Sequence, residues 1–330
     1  MQLAISRSDD RSDGARVTDR LENQYMVRES GFARKLQNRA FIFTAEYLPG
    51  TGGDGSGGES LKGVFGGRFD AVNVADNPYG PVVSSLAAST ALLNAGVEPI
   101  YQTVTRDRNR IALQSDLLGA VFLGIRTVLC LSGYHQTLSR SPGAANVYDI
   151  DSIQLVAAVR RMRDEGVLLD GTPVEGGFPV TVGAAANPFL KPLELNLIRF
   201  AKKVGAGAEF IQTHAVFDTD AFAEWLAAVG ERGLVEHTAI IAGVLPLESA
   251  GEAERLRDTY TDFYIPDTVI NRLGGAGDEK AQAREGLALF GETVRSLKGM
   301  NGLRGIHLFS GGKEDRIPEF LKAAGLQVDS

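Results

Sequence analysis

Short apolar and β-branched runs, each followed by a stretch of helical length, recur eight times along the 330 residues. They are Phe41 to Leu48, Ala71 to Asp76, Pro99 to Thr105, Thr127 to Gly133, Phe178 to Ala186, Phe210 to Phe217, Ala239 to Leu247 and Gly305 to Gly311. Several lack strict polar alternation, as a parallel strand covered on both faces does. Eight such strands fit a closed barrel, so the expected fold class is α/β, a single (β/α)8 TIM barrel.

The segments between the runs carry the longer period. Leu193, Leu197, Ala201 and Val204 share one helical stripe before a stop at Gly205-Ala206-Gly207. Phe222, Trp225, Leu226 and Val229 do the same behind Asp218, an expected N-cap. Ile265-Pro266-Asp267 opens another helix, and Leu287, Phe290, Val294 and Leu297 line a later one. No linker or internal repeat divides this pattern. Residues 1–35 read as a polar N-terminal arm, charged throughout Arg7 to Glu29, and 36–330 as the barrel.

With 44% apolar and 23% charged residues the chain can bury a large core, and a net charge of −7 argues against nucleic acid or an anionic membrane as partner. No apolar stretch approaches the roughly 18 to 20 residues of a membrane span, and no signal core stands at the N-terminus. The lone Cys130 has no internal disulfide partner, so the expected compartment is the cytoplasm.

Barrels place chemistry at the C-terminal ends of their strands. Those ends here carry Glu46; Asp76 and Asn77; Thr105, Arg106 and Asp107; Ser132 and Tyr134; Asn187; Gln212 and His214; Glu248; and Ser310 and Lys313. Glu46 closes an apolar strand. It reads either as a desolvated carboxyl able to act as a general acid or as the partner of a nearby arginine. Gly50, Gly52 and Gly55 match G-x-G-x-x-G, but so glycine-rich a run reads more simply as a mobile loop over the mouth. Arg106 to Arg110 opens a helix, where guanidinium groups could meet phosphate or form rim salt bridges. The four histidines have no metal-ligand spacing, so no metal is expected. His135 and His214 stand at strand ends, His307 lies inside the last strand as a hydrogen-bonded core residue, and His237 is expected at the surface.

Several ordered motifs resemble the methylenetetrahydrofolate reductase family over about residues 30 to 310. They are Glu46, Asp76-Asn77-Pro78, the run from Arg106 to Ala120, Gly124 to Leu131, Tyr148 to Ser152, and Lys202 to Ala208 with Gln212. The resemblance implies a barrel that carries FAD and passes hydride from NADH or NADPH to 5,10-methylenetetrahydrofolate in one-carbon metabolism. Glu46 would be the acid. Ala75, Gln102, Thr105, Arg106, Ser132, Gly133, Tyr134, Asn187, Asn196 and Lys203 fall on the cofactor side. Asp76, Gln212, His214, Phe309 and Lys313 fall on the folate side. Family members usually associate, so a homo-oligomer and a partner protein of the one-carbon pathway are expected.

Three positions depart from the family pattern. Leu131-Ser132-Gly133-Tyr134-His135 stands where a Gly-Asp pair is usual, Ala75 where threonine is, and His214 in the column of a folate-contacting glutamine. These changes read as a retuned flavin site or as its loss. A flavin-free, pterin-binding relative serving corrinoid-linked methyl transfer and a non-catalytic folate-binding subunit are the alternatives.

Overall fold

All eight runs become strands of one closed parallel barrel in the order β1 to β8. The computed structural model describes residues 30–52, 57–260 and 262–326; nearly all of the polar arm and the centre of the glycine-rich loop lie outside the described residues. Along the chain come α1 (Gly31–Gln37), β1 (Ile42–Tyr47), α2 (Gly57–Phe65), β2 (Ala71–Val74), α3 (Ser85–Asn94), β3 (Pro99–Val104) and α4 (Arg110–Phe122). Then follow β4 (Thr127–Leu131), α5 (Ser152–Asp164), β5 (Thr181–Ala186), α6 (Leu193–Ala206), β6 (Phe210–Ala215) and α7 (Thr219–Glu231). The last are β7 (Ala239–Val244), α8 (Ala250–Thr259), α9 (Asp267–Gly275), α10 (Glu279–Lys298), β8 (Leu303–Leu308) and α11 (Ile317–Ala323). The sheet closes where Ile42 to Ala45 of β1 pair with Gly305 to Leu308 of β8.

The helices begin and end where their capping chemistry dictates. Asp218 accepts from Ala221 N at 2.9 Å, and Asn109 accepts from Ile111 N and Ala112 N, fixing the starts of α7 and α4. α6 stops at Gly207, whose φ of 116° a side chain would strain; a Cβ there would also stand 2.6 Å from the Arg160 side chain. Every strand except β5 ends one to three residues before the expected end, and two strand starts move by two or more residues. β5 starts at Thr181 instead of Phe178, because Pro179 has no N–H for the ladder, and β8 starts two residues early at Leu303.

Alternation along the strands sorts the barrel interior into layers. At the N-terminal end Ile42, Ile100, Leu129, Phe210 and Ile241 form an apolar floor, into which α1 inserts Phe32 with its ring 5.0 Å from that of Phe210. α1 is tied down by Glu98, which accepts from Phe32 N at 3.2 Å. Two residues further along the strands the interior turns polar. Asn73 Nδ2 donates to Gln212 Oε1 at 2.6 Å, and Gln212 Nε2 donates back to Asn73 Oδ1 at 3.1 Å and to Thr44 Oγ1 at 3.3 Å. Thr44 Oγ1 in turn stands 2.9 Å from His307 Nδ1. Burial pushes the His307 ring down to about 3, so it is neutral and a core residue, as its place inside the strand implied. Glu46, Ala75 and His214 come one step further on, at the mouth. Cys130 is buried and His237 exposed, as expected.

Candidate functional site

The mouth divides into two halves. On the first, Glu46 is the third inward residue of β1 after Ile42 and Thr44, so the strand that fixes the floor also fixes the acid. Burial, and then the negative charge of Glu314, push its carboxyl up to about 8. Glu314 is held in place by Leu48 N and Ser310 Oγ, each donating to its Oε1 at 3.0 Å. No arginine pairs with Glu46 among the described residues. At neutral pH it is a protonated acid facing a carboxylate.

The second half lies over the ends of β4, β5 and β6. The connection from α8 to α9 crosses them and supplies Tyr260, Asp262, Phe263 and Tyr264. Asp262 Oδ2 stands 3.1 Å from His214 Nδ1, while its backbone carbonyl accepts from Asn187 Nδ2 at 2.8 Å. Burial lowers the His214 pKa against the opposing pull of Asp262, so the ring is neutral beside the carboxylate. Tyr134 packs its ring 5.2 Å from Tyr260, and Tyr264 stacks on Phe189 at 5.1 Å. Burial, followed by the Asp262 charge, drives the Tyr134 phenol far above its usual range. Asp262 Oδ1 is buried without a well-aligned hydrogen bond among the described residues, and the Tyr134 phenol lies within hydrogen-bonding reach of the carboxylate. Tyr79 joins the halves: its raised phenol pKa, due first to burial, also registers Glu46, Tyr260 and Asp262. Both carboxyl groups therefore act on the Tyr79 phenol.

Most side chains expected on the cofactor side are engaged within the chain. Arg106, 1% exposed, forks onto Asp107 through Nε and Nη2, both at 2.8 Å, and also donates to the carbonyls of Asn77 and Tyr134. Gly133 permits this closure, since with φ at +80° a Cβ would stand 3.2 Å from Arg106. Ser132 accepts from Arg106 N through its backbone carbonyl. Lys203 donates to Ala185 O, and burial lowers its pKa to about 8. Asn196 donates to the carbonyls of Asn187, Pro188 and Leu190. Gln102 is buried, Ala75 offers only a methyl group, and Thr105 keeps a buried hydroxyl without a partner among the described residues. A flavin dinucleotide needs a free cation or amide cluster for its pyrophosphate and an open slot for its ring. The residues here do not fit it: Lys203 and Arg106 are committed, and Tyr134 with Tyr260 and Asp262 fills the end of β4.

The folate-side expectations separate in the same way. His214 lies at the mouth beside Asp262. Gln212, two residues earlier on β6, lies one layer below it and is committed to Asn73. Asp76 is held by the Arg108 fork at 2.6 and 3.1 Å and by Val104 N at 2.9 Å. Arg108 and Arg110 make rim salt bridges, Arg110 with Asp149. Lys313 sits between Glu248 and Glu252 at 3.0 and 2.9 Å. Phe309 packs edge-on against His307 at 4.6 Å. Sequence reasoning missed Glu314, Tyr79, Tyr260 and Asp262. The signal available for the last two was three aromatic residues within the five-residue stretch 260–264, dense for a connection between helices.

Among the described residues no three His, Cys, Asp or Glu side chains gather as a metal site, and no helix is long and apolar enough to cross a membrane.

The sequence profile described as methylenetetrahydrofolate reductase matches residues 32–325. A probable methylenetetrahydrofolate reductase (NADPH) of Caenorhabditis elegans is 24% identical over 248 residues, which is 74% of this chain and 34% of the worm protein. Methylenetetrahydrofolate reductase 2 of Saccharomyces cerevisiae is 26% identical over 162 residues, covering 42% of this chain and 26% of the yeast protein. The chain thus matches about a third or less of the length of these curated relatives. Among solved structures, an uncharacterized protein from Clostridium thermocellum that binds two copies of 5-methyl-5,6,7,8-tetrahydrofolic acid superposes with a TM-score of 0.58 at 13% identity, covering 84% of this chain and 91% of that one. At that identity the likeness is one of fold.

Proposed function

Because the chain belongs to the methylenetetrahydrofolate reductase family, we propose that it reduces 5,10-methylenetetrahydrofolate to 5-methyltetrahydrofolate with Glu46 as the general acid. The observation that carries this reading is the Glu46 carboxyl, half-buried at the mouth, beside a carboxylate and with its pKa near 8. The five-membered ring of the substrate opens only if a nitrogen leaves. Glu46 donates its proton to that nitrogen, the carbon–nitrogen bond breaks with its electron pair on the nitrogen, and the one-carbon unit becomes an iminium on the other nitrogen. Hydride from NADH or NADPH then converts the iminium carbon to a methyl group, leaving oxidised nicotinamide and a Glu46 carboxylate that is reprotonated from solvent. No step is routed through flavin, because the side chains of the mouth do not fit one. A same-fold barrel described as holding 5-methyltetrahydrofolic acid makes that compound the first ligand to test.

The test is NAD(P)H-dependent formation of 5-methyltetrahydrofolate by the purified chain and by Glu46→Gln. The variant is expected to lose about 100-fold or more of the turnover, the size of a general-acid contribution, while still binding 5-methyltetrahydrofolate. Wild-type activity should fall as pH rises through about 8, where Glu46 loses its proton. A variant as active as wild type removes Glu46 from the chemistry. The engaged side chains on the cofactor side favour a second reading, a flavin-free folate protein serving methyl transfer or binding alone. Folate binding without nicotinamide oxidation would select it.

A further inference from the structure

We propose that the outer face of α4 is a self-association surface, on which the same helix of a second copy of this chain packs antiparallel across a two-fold axis. Ile111, Ser115, Leu118 and Phe122 lie along that face at intervals of four, three and four residues, the spacing by which one helix receives another. Ile111 is 75% exposed and Phe122 71%, and Leu123 continues the patch past the end of the helix. Apolar side chains exposed singly need no partner, but a contiguous stripe on one helix marks a contact site. No described residue covers this one. The inference is independent of the chemistry at the barrel mouth.

Symmetry, charge and area specify a second copy as the occupant. The four-three-four spacing reads the same from either end. A two-fold axis at its middle therefore sets Ile111 opposite the partner's Phe122 and the small Ser115 opposite the partner's Leu118. The face is also uncharged. Arg110 and Asp116 are the charged residues of α4, and each is paired inside the chain, with Asp149 at 2.8 Å and Arg108 at 2.9 Å. The flanking α3, whose Leu86 lies beside Gly119, has no charged residue. A chain of net charge −7 thus meets its copy here without bringing like charges together. On α6, by contrast, the exposed Leu195 and Ile198 are interleaved with exposed Glu194, Arg199 and Lys202. The apolar side chains of the α4 patch expose on the order of 400 Å² per copy, about half of what each side of a stable interface buries, and their flanks supply the rest.

The experiment is sedimentation equilibrium of the purified full chain at micromolar concentrations, repeated for Phe122→Glu, for Ile111→Lys and for an equimolar mixture of the two variants. Wild type is expected to dimerise, and each single variant to weaken the dimer by about 100-fold or more, because each substitution acts twice across the axis. The mixture should recover association. The new carboxylate of one chain then meets the new ammonium of the other, and the second contact between Ile111 and Phe122 is intact. Both side chains are mostly exposed in the single chain, so neither variant loses core packing. Leu195→Glu on α6 is the control and should leave the dimer unchanged. A monomeric wild type, whether residues 1–29 or another protein covers the face, overturns the proposal. So does a dimer that both single variants leave intact, a mixture that stays monomeric, or loss of the dimer in the α6 control.

Discussion

The two halves of the barrel mouth treat a carboxyl group in opposite ways. Beside β1 and β8, Glu46 meets burial and a second carboxylate and keeps its proton. Over β4 to β6, Asp262 stands 3.1 Å from His214 Nδ1 and within hydrogen-bonding reach of the Tyr134 phenol. The residues are of one chemical type, and their surroundings assign the roles: a group that can deliver a proton and a group that can receive hydrogen bonds. Such a division suits a substrate that must be gripped at one end and protonated near the other.

The comparison breaks if the halves are interchangeable. The largest expected effect is a split in kinetic constants: Glu46→Gln should lower kcat by about 100-fold or more with substrate affinity near wild type, whereas Asp262→Asn should act mainly on KM. Single-turnover and steady-state assays on both variants separate these outcomes. Next is Gln212→Leu, which cuts the polar layer linking Asn73 on β2 and Thr44 on β1 beneath both halves. It should cost about 1–3 kcal/mol by leaving buried amide groups unpaired, read as a drop in the denaturant midpoint.

Two smaller effects sharpen the Glu46 side. Glu314→Gln keeps an oxygen for Leu48 N and Ser310 Oγ but removes the charge. The alkaline limb of activity should move to lower pH by about one unit or less, with the larger contribution, burial, untouched. Stability provides a separate reading. The folded state binds the Glu46 proton up to about 8, the unfolded chain only up to 4.5, so this group weakens the fold as pH rises from 4.5 through 8. Glu46→Gln should therefore be more stable than wild type at pH 9, by about 1 kcal/mol once solvent screening is allowed for, and nearly equal to it at pH 4.

The strands, most helix starts and Glu46 were legible in the sequence because each depends on local pattern: strand-length apolar runs, helical stripes ended by Asp or Gly, and a charged residue closing an apolar strand. The distinction between Gln212 and His214 was latent in the two-residue spacing that sets them one layer apart. The partners of Asp76 and Lys313 were not legible, since Arg108 and the pair Glu248 and Glu252 reach them through tertiary folding. Asp262 was hidden for the same reason. Its place over β6 follows from the path of a connection that carries no periodicity, and only after that path is known does the substitution of Tyr134 for a family carboxylate show its counterpart across the cleft.

Ile42, Thr44 and Glu46 hang from one strand at two-residue intervals, and that spacing makes three properties a single inheritance. A slip of one position in β1 would swing Phe43, Ala45 and Tyr47 inward together and turn the seal, the amide relay and the proton donor outward at one stroke. Mutational drift can alter any one of them alone, but a one-residue insertion or deletion within these five residues must put at least one of the three out of phase with the others.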